Sequence, residues 1–295
     1  MASLKKTRWF IFIVLGVVIA VVAIFNRVFF VPTSQHILLT DGITDSQQES
    51  PFECQEFAQN GAVLDNDGLI DVLVWNLYKQ NRENWKPVLN QLLQGKQLAL
   101  LQEVSLTDEF KDWLYQIKWV GQQAKAFEAF DVSAGVLNLA PVYPIRICAH
   151  LNSEPWLQLP KSALFATYPL SDGTVLAVGN LHAINFTAGT EEYQQQVLTL
   201  VDELQRHQGP VLFGGDFNTW SDTRMEALSA IMSQAHFKEA QFPRGQRSEF
   251  MNGHVLDHIY YRDLQLITAE APTSDASDHN PLLARFALMP TKPSL

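Results

Sequence analysis

Residues 70–290 of this 295-residue chain predict a layered α/β domain with mixed sheets inside and helices outside. Two observations carry that expectation. Apolar runs of buried-strand type, among them LIDVLVWNLY (69–78), QLALLQEV (97–104) and PVLFGGDFN (210–218), interleave with helix-period segments and follow no fixed repeat. The signatures of other α/β folds are missing: no G-x-G-x-x-G follows a strand, and no P-loop, G-x-S-x-G or H-E-x-x-H occurs. No long low-complexity stretch or Pro/Gly-rich linker follows residue 46, so one domain is expected.

At the N-terminus, KKTRWFIFIVLGVVIAVVAIFNRVFFVP places basic residues before 17 uncharged residues, Trp9 to Phe25. As a helix this run rises about 25 Å, against a hydrocarbon core of roughly 30 Å. It shows no polar face, so residues 1–31 are expected to be a basic flank and a transmembrane or signal-anchor helix. The rival is a cleavable signal peptide, for which Val21-x-Ala23 is a weak cleavage pattern. Lys5, Lys6 and Arg8 before the span, against Arg27 after it, predict an N-in inner-membrane anchor with a periplasmic domain; a cytoplasmic domain is the alternative. Residues 32–69 are polar without sustained periodicity and read as a tether holding one short ordered piece.

Within the domain, Trp85, Val88, Leu89, Leu92 and Leu93 keep helical spacing up to Gly95. Thr107 caps a second helix that carries Asp108 and Glu109 in its first turn and an apolar stripe of Phe110, Trp113, Leu114 and Ile117. Strands are expected at 135–139, 161–168 and 174–184. A helix follows from Thr190 to His207, stopped by Gly209-Pro210. After the 210–218 strand come a helix near 221–235 and strands near 255–261 and 282–288.

Net charge is −10. The first 46 residues hold four basic residues (Lys5, Lys6, Arg8, Arg27) and two acidic ones (Asp41, Asp45), so the remainder carries −12. No Lys/Arg cluster offers the basic face that duplex nucleic acid requires, and strong non-specific nucleic-acid binding is not expected. A phosphate ester remains open as substrate, because a divalent cation supplies positive charge locally. Cys54 and Cys148 are too few for a disulfide framework or a zinc cluster; two free thiols are expected, with one bridge if the domain faces an oxidising compartment.

Polar residues interrupt or end the apolar strands at six places: Asn76 in VWNLY, Glu103 in LLQEV, His182 and Asn185 in NLHAIN, Asp216 and Asn218 in GGDFN, Asp257 in VLDHIYY, and Asp278-His279 in SDHNPL. Each alone reads equally as a cap or a paired core group. Alternation puts Asp216 and Asn218 on the same side of the chain, and the glycines before them permit close backbone approach. Together the six supply oxygen ligands, amide donors and two histidines, the set that metal-assisted phosphoester cleavage needs.

WNLY, LLQE, LH, GGDFN, LDHI and SDHNPL, in that order over about residues 70–288, resemble the endonuclease/exonuclease/phosphatase superfamily with its DNase I-like fold. KSAL, HAINF and SDHNPLL further resemble its bacterial YafD-like subfamily. The resemblance implies a four-layer α/β/β/α sandwich with the site at one end. It implies Glu103 as the principal Mg²⁺ (or Mn²⁺) ligand with Asn76 and Asp278 beside it, and Asp216 orienting or deprotonating the attacking water. It further implies Asn218 on the scissile phosphate, and His279 on a non-bridging oxygen, oriented by Asp257. His182 would donate to the phosphate or protonate the leaving group. Lys161 reads as a phosphate contact or an exposed lysine, and Asn185 as a substrate contact or a loop cap. His258 and Val255 stand where relatives carry an aromatic and, in nucleases, a basic residue, which weakens the case for DNA. The expectation is a monomeric, membrane-attached, Mg²⁺-dependent phosphodiesterase. A phospholipid or small-monoester phosphatase, or a non-catalytic scaffold of the same fold, are its rivals.

Overall fold

The computed structural model describes residues 2–155, 159–250 and 253–289. Helix α1 (Ala2–Val28) leads into β1 (Phe29–Phe30), β2 (Ile37–Asp41), β3 (Ser46–Ser50), β4 (Cys54–Glu56) and β5 (Leu69–Asn76). A tight turn at Tyr78–Gln80 precedes α2 (Trp85–Leu92), β6 (Leu98–Ser105), α3 (Asp108–Ile117), β7 (Val120–Ala129) and β8 (Val132–Ala140). The second half holds β9 (Arg146–Ser153), β10 (Pro160–Pro169), β11 (Val175–His182), α4 (Glu191–Arg206), β12 (Val211–Asp216) and α5 (Asp222–Gln234). Short β13 (Lys238–Glu239), β14 (Glu249–Phe250) and β15 (His254–Val255) come before β16 (Asp257–Arg262), β17 (Leu264–Glu270) and β18 (Leu282–Leu288).

Two mixed sheets result. The first runs β17-β18-β5-β6-β8-β7-β2-β3, with β1 on β7; the second runs β13-β16-β12-β11-β10-β9-β4. Each contains a parallel pair, β5 with β6 and β11 with β12, and each of those crossovers contains a helix.

Strand alternation sorts the side chains into layers. From β5, Ile70, Val72 and Val74 enter a core between the sheets together with Leu98, Leu164, Val178 and Leu212. Leu73 and Trp75 point the other way, onto Leu89 of α2 and Phe110, Trp113 and Leu114 of α3. In the second sheet, Phe213 and Phe217 pack under Tyr193, Val197 and Leu204 of α4 and Leu228 of α5. The architecture is therefore helix, sheet, sheet, helix. Each fully buried Val or Leu of these faces contributes about 1.5–3 kcal/mol. The paired glycines of β12 serve close packing: a Cβ on Gly214 would meet Val74 of the facing sheet at 2.8 Å, and one on Gly215 (φ 150°) would lie 2.0 Å from the Leu181 carbonyl oxygen.

Thr107 caps α3 as expected, its Oγ1 accepting from the Phe110 N–H. For α5 the cap is Ser221, whose Oγ accepts from the Arg224 N–H, so Asn218 is not spent as a helix cap. Three expectations need correction. First, the N-terminal segment is helical, but among the described residues no helix is long and apolar enough to cross a membrane. The transmembrane helix expected over residues 1–31 is therefore not supported. Second, residues 32–69 are more than a tether: β2 is buried along its whole length between β7 and β3, and β4 edges the second sheet. The run ILLTD is simply shorter than the periodicity needed to recognise a strand. Third, Cys54 and Cys148 face each other across β4 and β9 and are joined in a disulfide.

Candidate active site

The six polar sites converge at one end of the two sheets. Asn76, Glu103, His182, Asp216, Asn218 and His279 line a single cleft of about 370 Å³, and Lys161, Asn185 and Asp278 line it too. A larger open groove of about 720 Å³, between α2 and residues 272–283, has among the described residues only Lys96 and Asp275 as charged groups. The smaller cleft is the one with converging chemistry.

Asp216 ends β12 directly opposite Asp257, the first residue of β16. Its Oδ1 accepts from the Asn218 backbone N–H (2.9 Å) and its Oδ2 from the Asn76 Nδ2 (3.0 Å). Asn76 is itself fixed, because its Oδ1 accepts from the Tyr78 N–H at 3.0 Å. Phe217 turns into the core, so Asp216 and Asn218 share the cleft side. Asn218 takes a left-handed conformation (φ 49°) and donates from Nδ2 to the Ala183 carbonyl (2.8 Å).

His279 comes from the loop before β18. Trp75 Nε1 donates to its carbonyl (2.8 Å), and Ser277 Oγ, which accepts from the His279 N–H (3.2 Å), donates to the Asn76 carbonyl (2.7 Å). Its Nδ1 meets Asp257 Oδ2 at 2.7 Å, while Nε2 lies 4.0 Å from Asp216 Oδ2. Burial alone would lower the affinity of His279 for a proton. The charge and hydrogen bond of Asp257, with Asp216 and Asp278 adding to them, outweigh it and hold the ring as imidazolium. Asp216 shifts upward, chiefly through burial, with His279 pulling against the rise.

On the opposite wall a bulge in β6 between Leu101 and Val104 projects Glu103 (φ 51°) into the cleft. Lys79 Nζ donates to Glu103 Oε2, and Lys161 Nζ lies 3.9 Å from Oε1. Burial would raise the Glu103 carboxyl, but the two ammonium groups overcome it and hold the group below its ordinary range. Lys161 also donates to His182 Nε2 at 2.8 Å. An ammonium only donates, so this ring nitrogen is the acceptor and the imidazole proton sits on Nδ1. Burial first, then Lys161 and Lys79, keep His182 neutral.

Two groups of residues compete to hold a cation. Asp216, Asp257 and His279 offer ligand atoms all within 4.8 Å of one another. There, each Asp216 oxygen already accepts one hydrogen bond, and the charge of Asp257 favours the protonated His279 ring over the neutral one that a ligating histidine needs. Glu103 is a largely buried carboxylate neutralised by Lys79 and Lys161, with Asp278 lining the same cleft. Hard oxygen donors of this kind suit Mg²⁺ or Mn²⁺.

Sequence reasoning missed Lys79, whose place depends on a left-handed turn, and Arg224. The Arg224 guanidinium is buried in α5 and donates to the Ile184, Asn185 and Asn218 carbonyls at 2.7–3.1 Å and to Thr187 Oγ1 at 3.0 Å, sandwiched between Tyr193 and Trp220. It ties the loop after His182 to the one after Asp216. An arginine inside an apolar helical stripe was the available signal.

Comparison with known proteins agrees with this fold. A model of the endonuclease/exonuclease/phosphatase family matches residues 73–279. A UPF0294 protein of Vibrio cholerae is 50% identical over 286 residues, covering 97% of this chain and 100% of its own. Among solved structures, an endonuclease/exonuclease/phosphatase from Bacteroides vulgatus superposes with a TM-score of 0.61 at 17% identity, covering 75% of this chain and 99% of its own. The human Nocturnin catalytic domain with bound sulfate does so with a TM-score of 0.60 at 20% identity, covering 77% and 97%.

Proposed function

The chain belongs to the endonuclease/exonuclease/phosphatase family, and from that premise we propose that it is a metal-dependent phosphodiesterase that hydrolyses its substrate with an activated water. The observation that carries the reading is the convergence, in one cleft, of a backbone-anchored Asp216 with the Asp257–His279 pair and Glu103. A divalent ion on Glu103 and Asp278 would neutralise charge on the phosphate. Asp216, fixed by Asn76 and Asn218, accepts the proton of the attacking water. His279 donates through Nε2 to a non-bridging oxygen, and Asp257 fixes its direction. Asn218 offers its remaining amide N–H to the same group. Because His182 is neutral and accepts from Lys161, the Lys161 ammonium is the hydrogen-bond donor that serves the departing oxygen.

One divalent ion, Lys79, Lys161 and the His279 imidazolium would bring five positive charges against the five carboxylates Glu103, Asp216, Glu249, Asp257 and Asp278. With no surplus of positive charge, the cleft suits a singly charged phosphodiester better than a doubly charged monoester. Tyr78, Trp220 and Phe250 in the wall suit an organic group beside that phosphate. The −12 balance beyond residue 46 weighs against duplex DNA.

The Cys54–Cys148 disulfide supports an oxidising compartment for the domain, consistent with export. The exposed Trp9, Phe12 and Ile13 of α1 support association with a membrane surface. The full chain, assayed with Mg²⁺ and with EDTA on bis-p-nitrophenyl phosphate, p-nitrophenyl phosphate, DNA and phospholipid vesicles, should cleave a diester only when the ion is present. Absence of turnover on all four, together with absence of divalent-ion binding, would overturn the reading.

A further inference from the structure

Lys79 stands on backbone that few side chains adopt. Tyr78, Lys79 and Gln80 are all left-handed (φ 49°, 55° and 54°), three consecutive non-glycine residues. The surroundings pin that turn at both ends. Asn76 Oδ1 accepts from the Tyr78 N–H, Leu77 O accepts from the Gln80 N–H, Tyr78 O accepts from the Asn81 N–H, and Gln80 Oε1 accepts from the Ser105 N–H at 3.1 Å. The one side chain at the apex that reaches into the cleft's carboxylate is Lys79, whose ammonium donates to Glu103 Oε2. Glu103 is itself left-handed, on the β6 bulge. Two strained positions, from different elements, are therefore spent on bringing one cation to one carboxylate. The lysine side chain is 46% exposed while that of Glu103 is 17% exposed, so the cation is free to swing toward solvent and the carboxylate is not.

We propose that Lys79 is a resident counter-ion of Glu103 that competes directly with the divalent ion. It holds the carboxylate in place while no ion is bound, and it must give up Oε2 for the ion to bind. The inference rests on the reading of Glu103 as an ion ligand. Lys161 provides the internal comparison: it carries the same charge in the same cleft, but it lies 3.9 Å from Glu103 and spends its hydrogen bond on His182.

The test is calorimetric titration of Mn²⁺ and of Mg²⁺ into the full chain, with Lys79→Met, Lys79→Gln and Lys161→Met beside it, and no substrate present. Removing the competitor should tighten ion binding roughly tenfold in both Lys79 variants, the scale of a charged hydrogen bond, and clearly less in Lys161→Met. The gain in melting temperature on adding Mg²⁺ should also be larger for Lys79→Met than for the wild type, which checks that the variant is folded. Unchanged or weaker ion binding in both folded Lys79 variants would overturn the proposal, as would an equal gain in Lys161→Met, which would reduce the effect to general charge. If the wild type binds no divalent ion, the reading of Glu103 fails and the proposal falls with it.

Discussion

On one wall of the cleft Asp257 holds His279, whose carbonyl accepts from Trp75, and Asp216 beside them is anchored by the Asn218 N–H and the Asn76 amide. On the other wall Glu103 is balanced by the ammonium groups of Lys79 and Lys161, side chains that reach it from other elements. The first wall is held by protein hydrogen bonds, save Asp257 Oδ1, which is buried without a partner. The second has a carboxylate whose charge is met in part by the exposed Lys79, a group able to leave. That difference teaches how one fold separates tasks: proton handling needs fixed geometry, whereas an ion site needs charge that can be exchanged.

Breaking the first wall should have the largest effect. Asp216→Asn or His279→Ala should cut turnover at least about 100-fold while leaving the melting temperature close to wild type. Initial rates on a diester substrate check this, and near-normal rates would remove both residues from the chemistry. Arg224→Met tests the support beneath that wall. It leaves the carbonyls of Ile184, Asn185 and Asn218 without their donor and should cost about 3 kcal/mol in denaturant unfolding, with kcat reduced as Asn218 loosens.

Away from the cleft, reducing the Cys54–Cys148 bridge, or Cys54→Ser with Cys148→Ser, should cost about 2–4 kcal/mol and lower the melting temperature, because the bridge closes a long loop. The smallest expected effect concerns pH. Burial would raise the Glu239 carboxyl, but His258 and Arg247 hold it down at about 2, well under its ordinary 4.5. Its contribution to stability is therefore complete above pH 4.5 and lost as pH falls from there toward 2. Glu239→Gln should flatten the acid limb of the unfolding free energy by on the order of 2 kcal/mol between those limits.

Much of this was legible because the signals are local. The strand LIDVLVWN, the cap at Thr107 and the order of GGDFN and SDHNPL needed only alternation, spacing and residue type. What escaped notice depends on the far sheet. The strand β7 reads as polar through Gln122, Gln123 and Lys125, yet Gln122 accepts from Tyr168 and Gln123 donates to the Val104 carbonyl, so these polar groups are buried with partners no local pattern reveals. The strand β2 is buried only because β7 and β3 flank it. Lys79 and Glu103 meet because one sits on a left-handed turn and the other on a bulge, and no propensity foretells either at those residues.

The central claim is that the ion belongs to the Glu103 wall and the proton chemistry to the Asp216–Asp257–His279 wall. Calorimetric titration of Mg²⁺ into Glu103→Gln and Asp257→Asn decides it. The account requires Glu103→Gln to bind at least about tenfold more weakly than wild type, and Asp257→Asn to keep wild-type affinity while losing turnover. Undiminished binding in Glu103→Gln, with binding lost in Asp257→Asn, would place the ion on the opposite wall and contradict it.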